Sequence, residues 1–276
     1  MLAINYGERY PSPCTLILGC FDGIHRGHET LVQRAKQTGL PVGLMLLGGK
    51  GEKSLFTKEE RLSIAEELGV DFCLIVKLDE VRTTSAEDFL NCILSTINVR
   101  CFVAGEDFRF GAGAKGTPLL LASKRETVCC PLLTEEGKKI SSTTVRLYIE
   151  RGEIERANAL LFLPFFVMGT VIHGREIGRT YGFPTANVVY PERKIALCQG
   201  VYAVRVGRFR GIANYGARPT FGDERPLLEV YLDGFSGDLY GQTVKVVFER
   251  KIRDIKKFKS KEELKEQLER DVLTVR

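Results

Sequence analysis

The first half of the sequence alternates short apolar runs with amphipathic segments, and this alternation limits the possible folds more than any other feature. One of the amphipathic segments opens with a capping box, Thr57-x-x-Glu60, and continues with apolar residues near helical spacing. Strand and helix in turn predict a parallel sheet covered on both faces, because parallel strands need crossover connections. The five predicted strands lie at 15–19, 42–47, 72–76, 101–105 and 127–132.

The second half has a different pattern, in which the apolar runs are short, rich in valine and tyrosine, and separated by glycine-containing turns. This pattern indicates an antiparallel barrel or sandwich. A capping box at Ser260 and Glu263 opens one terminal helix. We therefore expect an α/β chain with a Rossmann-like parallel-sheet domain at 1–155 and an antiparallel β-barrel domain with a terminal helix at 156–276.

Composition narrows the class of protein. No run approaches the roughly 18–20 unbroken apolar residues of a membrane helix, and the N-terminus lacks the basic flank and apolar core of a signal peptide. Lys and Arg number 40 against 35 Asp and Glu, a milder excess than nucleic-acid-binding proteins show, and one that suits a small polyanionic substrate. The eight cysteines contain no C-x-x-C and are interpreted as reduced thiols. We expect a cytoplasmic protein without membrane or nucleic-acid partners, of unknown oligomeric state.

The segment from Gly19 to His28 turns the first predicted strand into a helix through three glycines. Glycine lets backbone N–H groups approach an anion, and a helix N-terminus favours phosphate. His25 and His28 are spaced to lie on one face, where imidazolium groups would stabilise charge developing on a triphosphate. Two alternatives stay open: zinc bound by the histidines with Asp22 or Cys20, and an ordinary turn with surface histidines.

The same segment, Gly19-Cys20-Phe21-Asp22-Gly23-Ile24-His25-Arg26-Gly27-His28, resembles the G-x-F-D-G-x-H-x-G-H signature of bacterial FAD synthetases, within the H-x-G-H nucleotidyltransferase superfamily. Residues 104–111 resemble the flavin-side segment of that family, and residues 140–146 resemble its I-S-S-T-x-x-R nucleotide-binding loop. Without the resemblance, the serines and threonines of the second segment indicate a helix N-cap.

This resemblance implies roles for individual residues. His25 and His28 would be catalytic, and the flavin would bind at Asp107, Phe108 and Arg109. ATP and its phosphates would bind at Gly19, Phe21, Asp22, Gly23, Gly27, Ser141, Ser142, Thr143 and Arg146.

One segment departs from the FAD synthetase pattern. After the second strand that family usually carries an F-x-P-H-P-like segment, whereas this chain has neither proline nor histidine between Met45 and Phe56. The loop at 48–53 is either a mobile phosphate-binding replacement or a flexible surface loop. Cys20 also stands where the family often has Asn or Thr.

A second glycine-dense segment, 169–187, ends in Gly178-Arg179-Thr180-Tyr181-Gly182-Phe183-Pro184-Thr185-Ala186-Asn187. This run resembles the G-R-x-x-G-F-P-T-A-N hallmark of bacterial riboflavin kinases, and the resemblance continues to the terminal helix. It implies ATP or flavin binding at Gly174, Gly178, Arg179, Gly182, Phe183, Pro184, Asn214 and Arg218.

The kinase chemistry would centre on three oxygen-bearing side chains. The oxygens of Thr185 and Asn187, two apart on an extended segment, point the same way and could hold Mg²⁺ with the ATP phosphates. The resemblance makes Glu229 the base for the ribityl hydroxyl of riboflavin. The alternatives are that Glu229 is the outward residue of a half-buried strand and that Arg218 is a surface residue. His173 has no assigned role and is expected at the surface.

Together the two resemblances imply a bifunctional flavin-cofactor enzyme. It would phosphorylate riboflavin to FMN with ATP and Mg²⁺, then transfer AMP from ATP to FMN, giving FAD and pyrophosphate. One alternative is a riboflavin kinase with an impaired adenylyltransferase half, motivated by the departure at 48–53. The other is a non-catalytic flavin-binding regulator, against which the intact set of Thr185, Asn187 and Glu229 argues.

Overall fold

The computed structural model describes residues 1–48, 53–135, 137–173, 183–216 and 227–276. The described chain forms two compact units, Met1–Ser142 and Thr143–Arg276. Among the helices of the described part, none is both long and apolar enough to pass through a membrane. All eight cysteines are free thiols, as expected from their spacing.

The N-terminal unit is built on a six-stranded parallel sheet with the order β1-β4-β3-β2-β5-β6, which confirms the predicted fold class. Its strands are β1 (Leu2–Asn5), β2 (Tyr10–Leu18), β3 (Val42–Gly48), β4 (Phe72–Lys77), β5 (Ile97–Gly105) and β6 (Glu126–Cys130). Its helices are α1 (Arg26–Lys36), α2 (Lys58–Glu67), α3 (Leu78–Val81), α4 (Ala86–Thr96) and α5 (Pro118–Ala122). A short antiparallel pair, β7 (Thr134–Glu135) and β8 (Lys138–Lys139), follows.

Local sequence signals explain where the helices begin. The Thr57 hydroxyl accepts a hydrogen bond from the Glu60 N–H at 3.2 Å, and the Glu60 carboxylate accepts one from the Thr57 N–H at 2.8 Å. This reciprocal pair is the predicted capping box, and it satisfies two N–H groups that a helix start otherwise leaves unpaired.

The order of the sheet also creates a ligand-binding edge. The central strand β2 has β3 on one side and β5 on the other, so the strand order reverses at β2. Crevices form at such reversals, outside the carboxyl ends of the strands. The predicted glycine–histidine segment follows β2 directly.

The C-terminal unit is a closed six-stranded antiparallel barrel, as the second-half pattern predicted, with the order β10-β13-β12-β11-β14-β9. Its strands are β9 (Phe166–Ile172), β10 (Thr185–Val188), β11 (Gly200–Val206), β12 (Phe209–Gly216), β13 (Leu227–Leu232) and β14 (Thr243–Arg253). Its helices are α6 (Ser142–Arg151), α7 (Ile154–Leu160) and α8 (Lys261–Leu273). The Ser260 hydroxyl caps α8 by accepting from the Glu263 N–H at 3.2 Å.

Candidate active sites

The first candidate site lies at the carboxyl edge of the parallel sheet. Gly19 follows β2, and Asp107 lies two residues after β5, the neighbouring strand. Because parallel neighbours end at the same edge, the fold brings the predicted phosphate-binding and flavin-side segments together. Helix α1 begins at Arg26 with His25 in the N-cap position, so the N-terminus of α1 opens at this edge.

Close packing within the turn accounts for its glycines. A Cβ on Gly19 would lie 2.6 Å from the Phe21 ring, and one on Gly23 would lie 2.4 Å from Leu55 Cδ1. A Cβ on Gly27 would lie 3.2 Å from the His25 ring. Phe21 adopts a positive φ of 52°, which L residues rarely do. The turn therefore needs these glycines for its own shape.

The two histidines form a stacked pair inside the turn. Their ring centroids are 3.7 Å apart, and Phe21 contacts His28 from one side with a centroid distance of 4.5 Å. The His25 N–H donates to Nδ1 of His28 at 3.3 Å, so His28 carries its proton on Nε2 when neutral. His25 is 8% exposed, which excludes the surface-histidine alternative.

Burial sets the charge of this pair. The pKa of His25 is lowered to about 4, chiefly by burial and further by the nearby Lys139 ammonium, while the Asp107 carboxylate opposes the shift. Burial and the neighbouring His25 hold the pKa of His28 well below its usual range. Both rings are therefore neutral at pH 7 without a ligand, which differs from the imidazolium charge expected from the sequence. Nδ1 of His25 is buried without a hydrogen-bond partner in the described part of the chain.

The predicted nucleotide-binding loop is joined to the same turn. The Gly23 N–H donates to Ser142 Oγ at 3.2 Å. The Asp22 carboxylate accepts from the Leu55 N–H at 3.1 Å, which fixes the chain that follows β3. Ser141 precedes α6, and the other two predicted contacts, Thr143 and Arg146, lie in its first turns.

The flavin-side residues follow β5. Asp107 forms an ion pair with Lys139 of β8. The Phe108 ring stacks on Phe110 at 5.5 Å between centroids, and the Arg109 guanidinium donates to the Phe108 carbonyl oxygen at 2.8 Å. Of the three, Asp107 is the residue whose charge reaches His25.

Sequence reasoning missed two cations at this edge, Lys139 and Arg61. Arg61 is 6% exposed on α2, and its Nη1 donates to the carbonyl oxygen of Leu47 in β3 at 2.7 Å. Burial lowers the pKa of Arg61, and the Asp22 carboxylate opposes this shift. The carboxylate therefore lies near the guanidinium. The sequence feature that could have revealed Arg61 is a charged residue on the apolar face of the helix, three residues before Ile64.

The zinc alternative gains no support. The ranges that the structure describes contain Cys20, Asp22, His25 and His28, yet within these ranges no group of three or more His, Cys, Asp or Glu side chains is arranged to hold a metal ion. Of the loop predicted at 48–53, residues 49–52 lie outside the described part.

The second candidate site is a row of polar residues across the barrel. Strand register places Asn187 of β10 opposite Glu229 of β13, and Glu229 opposite Asn214 of β12. Directly opposite residues share a face of the sheet, with Cβ atoms about 4.5–5.5 Å apart. Asn187 is 4% exposed, Glu229 is half-buried and Asn214 is exposed. Thr185, opposite Tyr231, lies on the same face as Asn187.

A largely apolar cleft shares Thr185 with this row, but Ala186, Val230 and Leu232 line it from the opposite face of β10 and β13. The cleft has Tyr240 at its edge, where the exposed His173 stacks on the tyrosine ring at 3.8 Å between centroids. The Phe183 ring meets Tyr231 edge-on at 5.2 Å. The cleft is lined by Val171, Pro184, Thr185, Ala186, Val230, Leu232, Phe235, Gly237, Asp238, Leu239 and Tyr240. The remaining predicted kinase residues lie outside the described residues: Gly174, Gly178, Arg179, Gly182 and Arg218.

Comparison with known proteins gives a family match for each half of the chain. The FAD synthetase family model matches residues 8–144, and the riboflavin kinase family model matches residues 161–276. Bifunctional riboflavin kinase/FMN adenylyltransferases are similar over most of the chain. The one from Escherichia coli K12 is 39% identical over 99% of this chain and 95% of its own length. The one from Bacillus subtilis 168 is 38% identical over 93% and 89%.

A solved structure has the same architecture. It is a Streptococcus pneumoniae protein described as a macrolide-efflux protein, and it superposes with a TM-score of 0.89 at 31% identity over 98% of this chain and 97% of its own. The family matches and the curated relatives span both compact units in the predicted order. The chain belongs to the bifunctional riboflavin kinase/FMN adenylyltransferase family, with an FAD synthetase domain followed by a riboflavin kinase domain.

Proposed function

We propose that the chain converts riboflavin to FMN in its barrel and FMN to FAD at the edge of its parallel sheet. The observation that supports this proposal is that the proposed reactive side chains of the two steps lie in different compact units. His25 and His28 belong to the first unit, and Asn187 and Glu229 belong to the second. The expected domain limits were 1–155 and 156–276. The two compact units divide between Ser142 and Thr143, at the start of α6, and α6 ends before residue 155.

In the kinase step, the terminal ribityl hydroxyl of riboflavin attacks the γ-phosphorus of ATP, and ADP leaves. Glu229 accepts the hydroxyl proton, a role that its half-buried position beside Asn187 supports. Asn214, on the other side of Glu229, contacts a substrate. Phe183 and Pro184 contact a planar ring of ATP or riboflavin; Pro184 lines the largely apolar cleft, and Phe183 packs edge-on against Tyr231.

The donor set on the barrel fits Mg²⁺. Hydroxyl and amide oxygens are ligands that Mg²⁺ accepts, and the ion is usually held by one or two side chains together with substrate phosphates. Thr185 and Asn187 would hold it, since they lie on one face beside Glu229. When bound, the ion would neutralise phosphate charge.

In the adenylyl-transfer step, an oxygen of the FMN phosphate attacks the α-phosphorus of ATP, and the bond to the bridging oxygen of the leaving pyrophosphate breaks. Because the FMN phosphate is already ionised, the site has no proton to remove, and its tasks are positioning and charge stabilisation. His28 would donate its ring N–H to a phosphate oxygen in exchange for its present backbone partner at Gly23. Asp107 positions the flavin, while Thr143 and Arg146 remain proposed nucleotide contacts together with the serines before them.

The cellular setting is proposed as the cytoplasm. The eight free thiols support it, because reduced cysteines suit a reducing compartment. The proposed partners are flavins and ATP, with neither nucleic acid nor membrane required by the chemistry.

A time course starting from riboflavin and Mg-ATP tests the proposal. FMN and ADP are expected first, followed by FAD and pyrophosphate. If FMN accumulated and no FAD formed even when FMN was supplied directly, the chain would be a kinase with an impaired adenylyltransferase half. Tight riboflavin binding without ADP or FMN would identify a flavin-binding regulator instead.

A further inference from the structure

Lys139 occupies a position that none of the assigned roles uses. It is the last residue of β8, and it immediately precedes the segment Ile140–Ser142. The Ile140 N–H donates to the Leu133 carbonyl oxygen at 3.0 Å and so fixes the chain beyond β8. The Lys139 ammonium forms an ion pair with Asp107, 32 residues earlier on the flavin side.

The same ammonium lies near the histidine pair. Its charge lowers the pKa of both His25 and His28. Lys139 is therefore within electrostatic reach of the stacked rings and in contact with Asp107, and it lies two residues before Ser141 in the chain.

The reaction needs a positive charge at this place. The ATP triphosphate and the FMN phosphate are both anions, and they must come into contact. Burial keeps both histidines neutral at pH 7, while the Asp107 carboxylate adds a negative charge. A lysine ammonium stays positive and offers three donors to phosphate oxygens.

The existing ion pair can be exchanged. The side chains of Lys139 and Asp107 are 46% and 47% exposed. Ion pairs this open to water contribute little to stability, so a phosphate can replace the carboxylate as the partner of the ammonium.

This inference rests on the proposed FAD synthesis. We propose that the Lys139 ammonium gives up its ion pair with Asp107 and binds the ATP triphosphate during adenylyl transfer. Asp107 is then free to contact the flavin. The Asp107 carboxylate takes the place of the phosphate as the partner of Lys139 until ATP binds. Lys139 is then a substrate-contacting residue of this reaction.

The test compares Lys139→Met with Lys139→Arg and with Lys138→Met, which removes a neighbouring exposed lysine of β8. Lys139→Met is expected to lower kcat/KM for ATP in FAD formation by about 10- to 100-fold, the range for one charge-assisted contact. Lys139→Arg should restore most of this loss, and Lys138→Met should match the wild type. Amide NMR spectra of the parallel-sheet unit, which contains Lys139, report that each variant is folded, and riboflavin phosphorylation by the same samples should be unchanged.

Pyrophosphate binding gives a second readout that does not depend on turnover. Calorimetric titration of the full chain with pyrophosphate should show at least tenfold weaker binding for Lys139→Met than for Lys138→Met. FAD formation and pyrophosphate binding unchanged in Lys139→Met would overturn the inference, as would a change in KM for FMN alone. If the wild type made no FAD, the proposed function would fail, and the pyrophosphate comparison would still decide the role of Lys139.

Discussion

At the scale of single residues, the charge state of the histidine pair is set by packing rather than by sequence. His25 and His28 stack at 3.7 Å, Phe21 packs beside them, and burial lowers both pKa values. Both rings are therefore neutral at pH 7. A phosphate bound beside them would raise their pKa, because an anion stabilises the protonated ring.

This packing predicts a pH titration. By NMR the His25 ring should titrate with a midpoint of about 4. The chain has three histidines, so single substitutions assign the signals. In Lys139→Met the midpoint should rise, because a positive neighbour that opposes protonation is gone. A midpoint near 6.5 in the wild type would contradict the buried, neutral pair.

The same shift links stability to pH. The folded pKa of His25 lies below the unfolded value, so the unfolded chain binds more protons between these two pH values. The contribution is fully present above about pH 6.5 and is lost as pH falls towards 4, by an amount on the order of 2–3 kcal/mol. Urea unfolding followed through amide signals of the parallel-sheet unit should show this decrease, and His25→Gln should flatten it.

What the sequence revealed at this scale depended on local pattern. The glycine–histidine turn is contiguous, so its members could be assigned before the structure was known. The pair of Lys139 and Asp107 could not, because the partners are 32 residues apart and are brought together only by the fold. Arg61 was overlooked because a single charge on the apolar face of a helix looks like an ordinary break in the amphipathic pattern.

At the scale of elements, α8 is attached to the barrel by a buried ion pair. The Arg253 guanidinium at the end of β14 donates to both carboxylate oxygens of Asp271, with its shortest contact at 2.7 Å. Asp271 is 2% exposed. Val272 and Val275 pack with barrel residues in the same cluster, so the ion pair and the apolar contacts hold α8 against one face.

Removing the carboxylate should loosen this helix. Asp271→Ala is expected to destabilise the attachment of α8 by about 3–5 kcal/mol, because it leaves a largely buried guanidinium unpaired. Hydrogen exchange of the amides of α8 measures the effect. The matched control is Glu266→Ala, which breaks the exposed pair with Arg270 and should change stability by about 0.5 kcal/mol or less. Equal exchange in the two variants would contradict the anchoring role.

Elements with a clear apolar pattern or a cap were predictable from the sequence, and the shortest strands were not. The strands with continuous apolar runs were predicted, as was α8, which a serine cap opens. The four-residue strands β1 and β10 were missed as strands. β1 buries only Ile4, and β10 begins with polar residues whose extended form depends on pairing with its neighbours.

At the scale of the whole molecule, the two activities are carried by two compact units with separate hydrogen-bonded sheets. The order of fold classes along the chain could be predicted, because alternating and turn-separated patterns occupy different halves. The alignment of Asn187, Glu229 and Asn214 could not, since it depends on the register of three strands.

The central claim is that each unit carries its own active site, and a crossed assay of two variants tests it most directly. Glu229→Gln should lower FMN formation by about 10²- to 10⁴-fold, the range for a lost general base, and leave conversion of FMN to FAD intact. His28→Ala should lower FAD formation by about 10²- to 10³-fold and leave riboflavin phosphorylation intact. Glu249→Gln, at a partly exposed position of β14 where the carboxylate pairs with Arg205, is the control and should match the wild type in both assays. Loss of both activities in either folded variant would contradict independent sites.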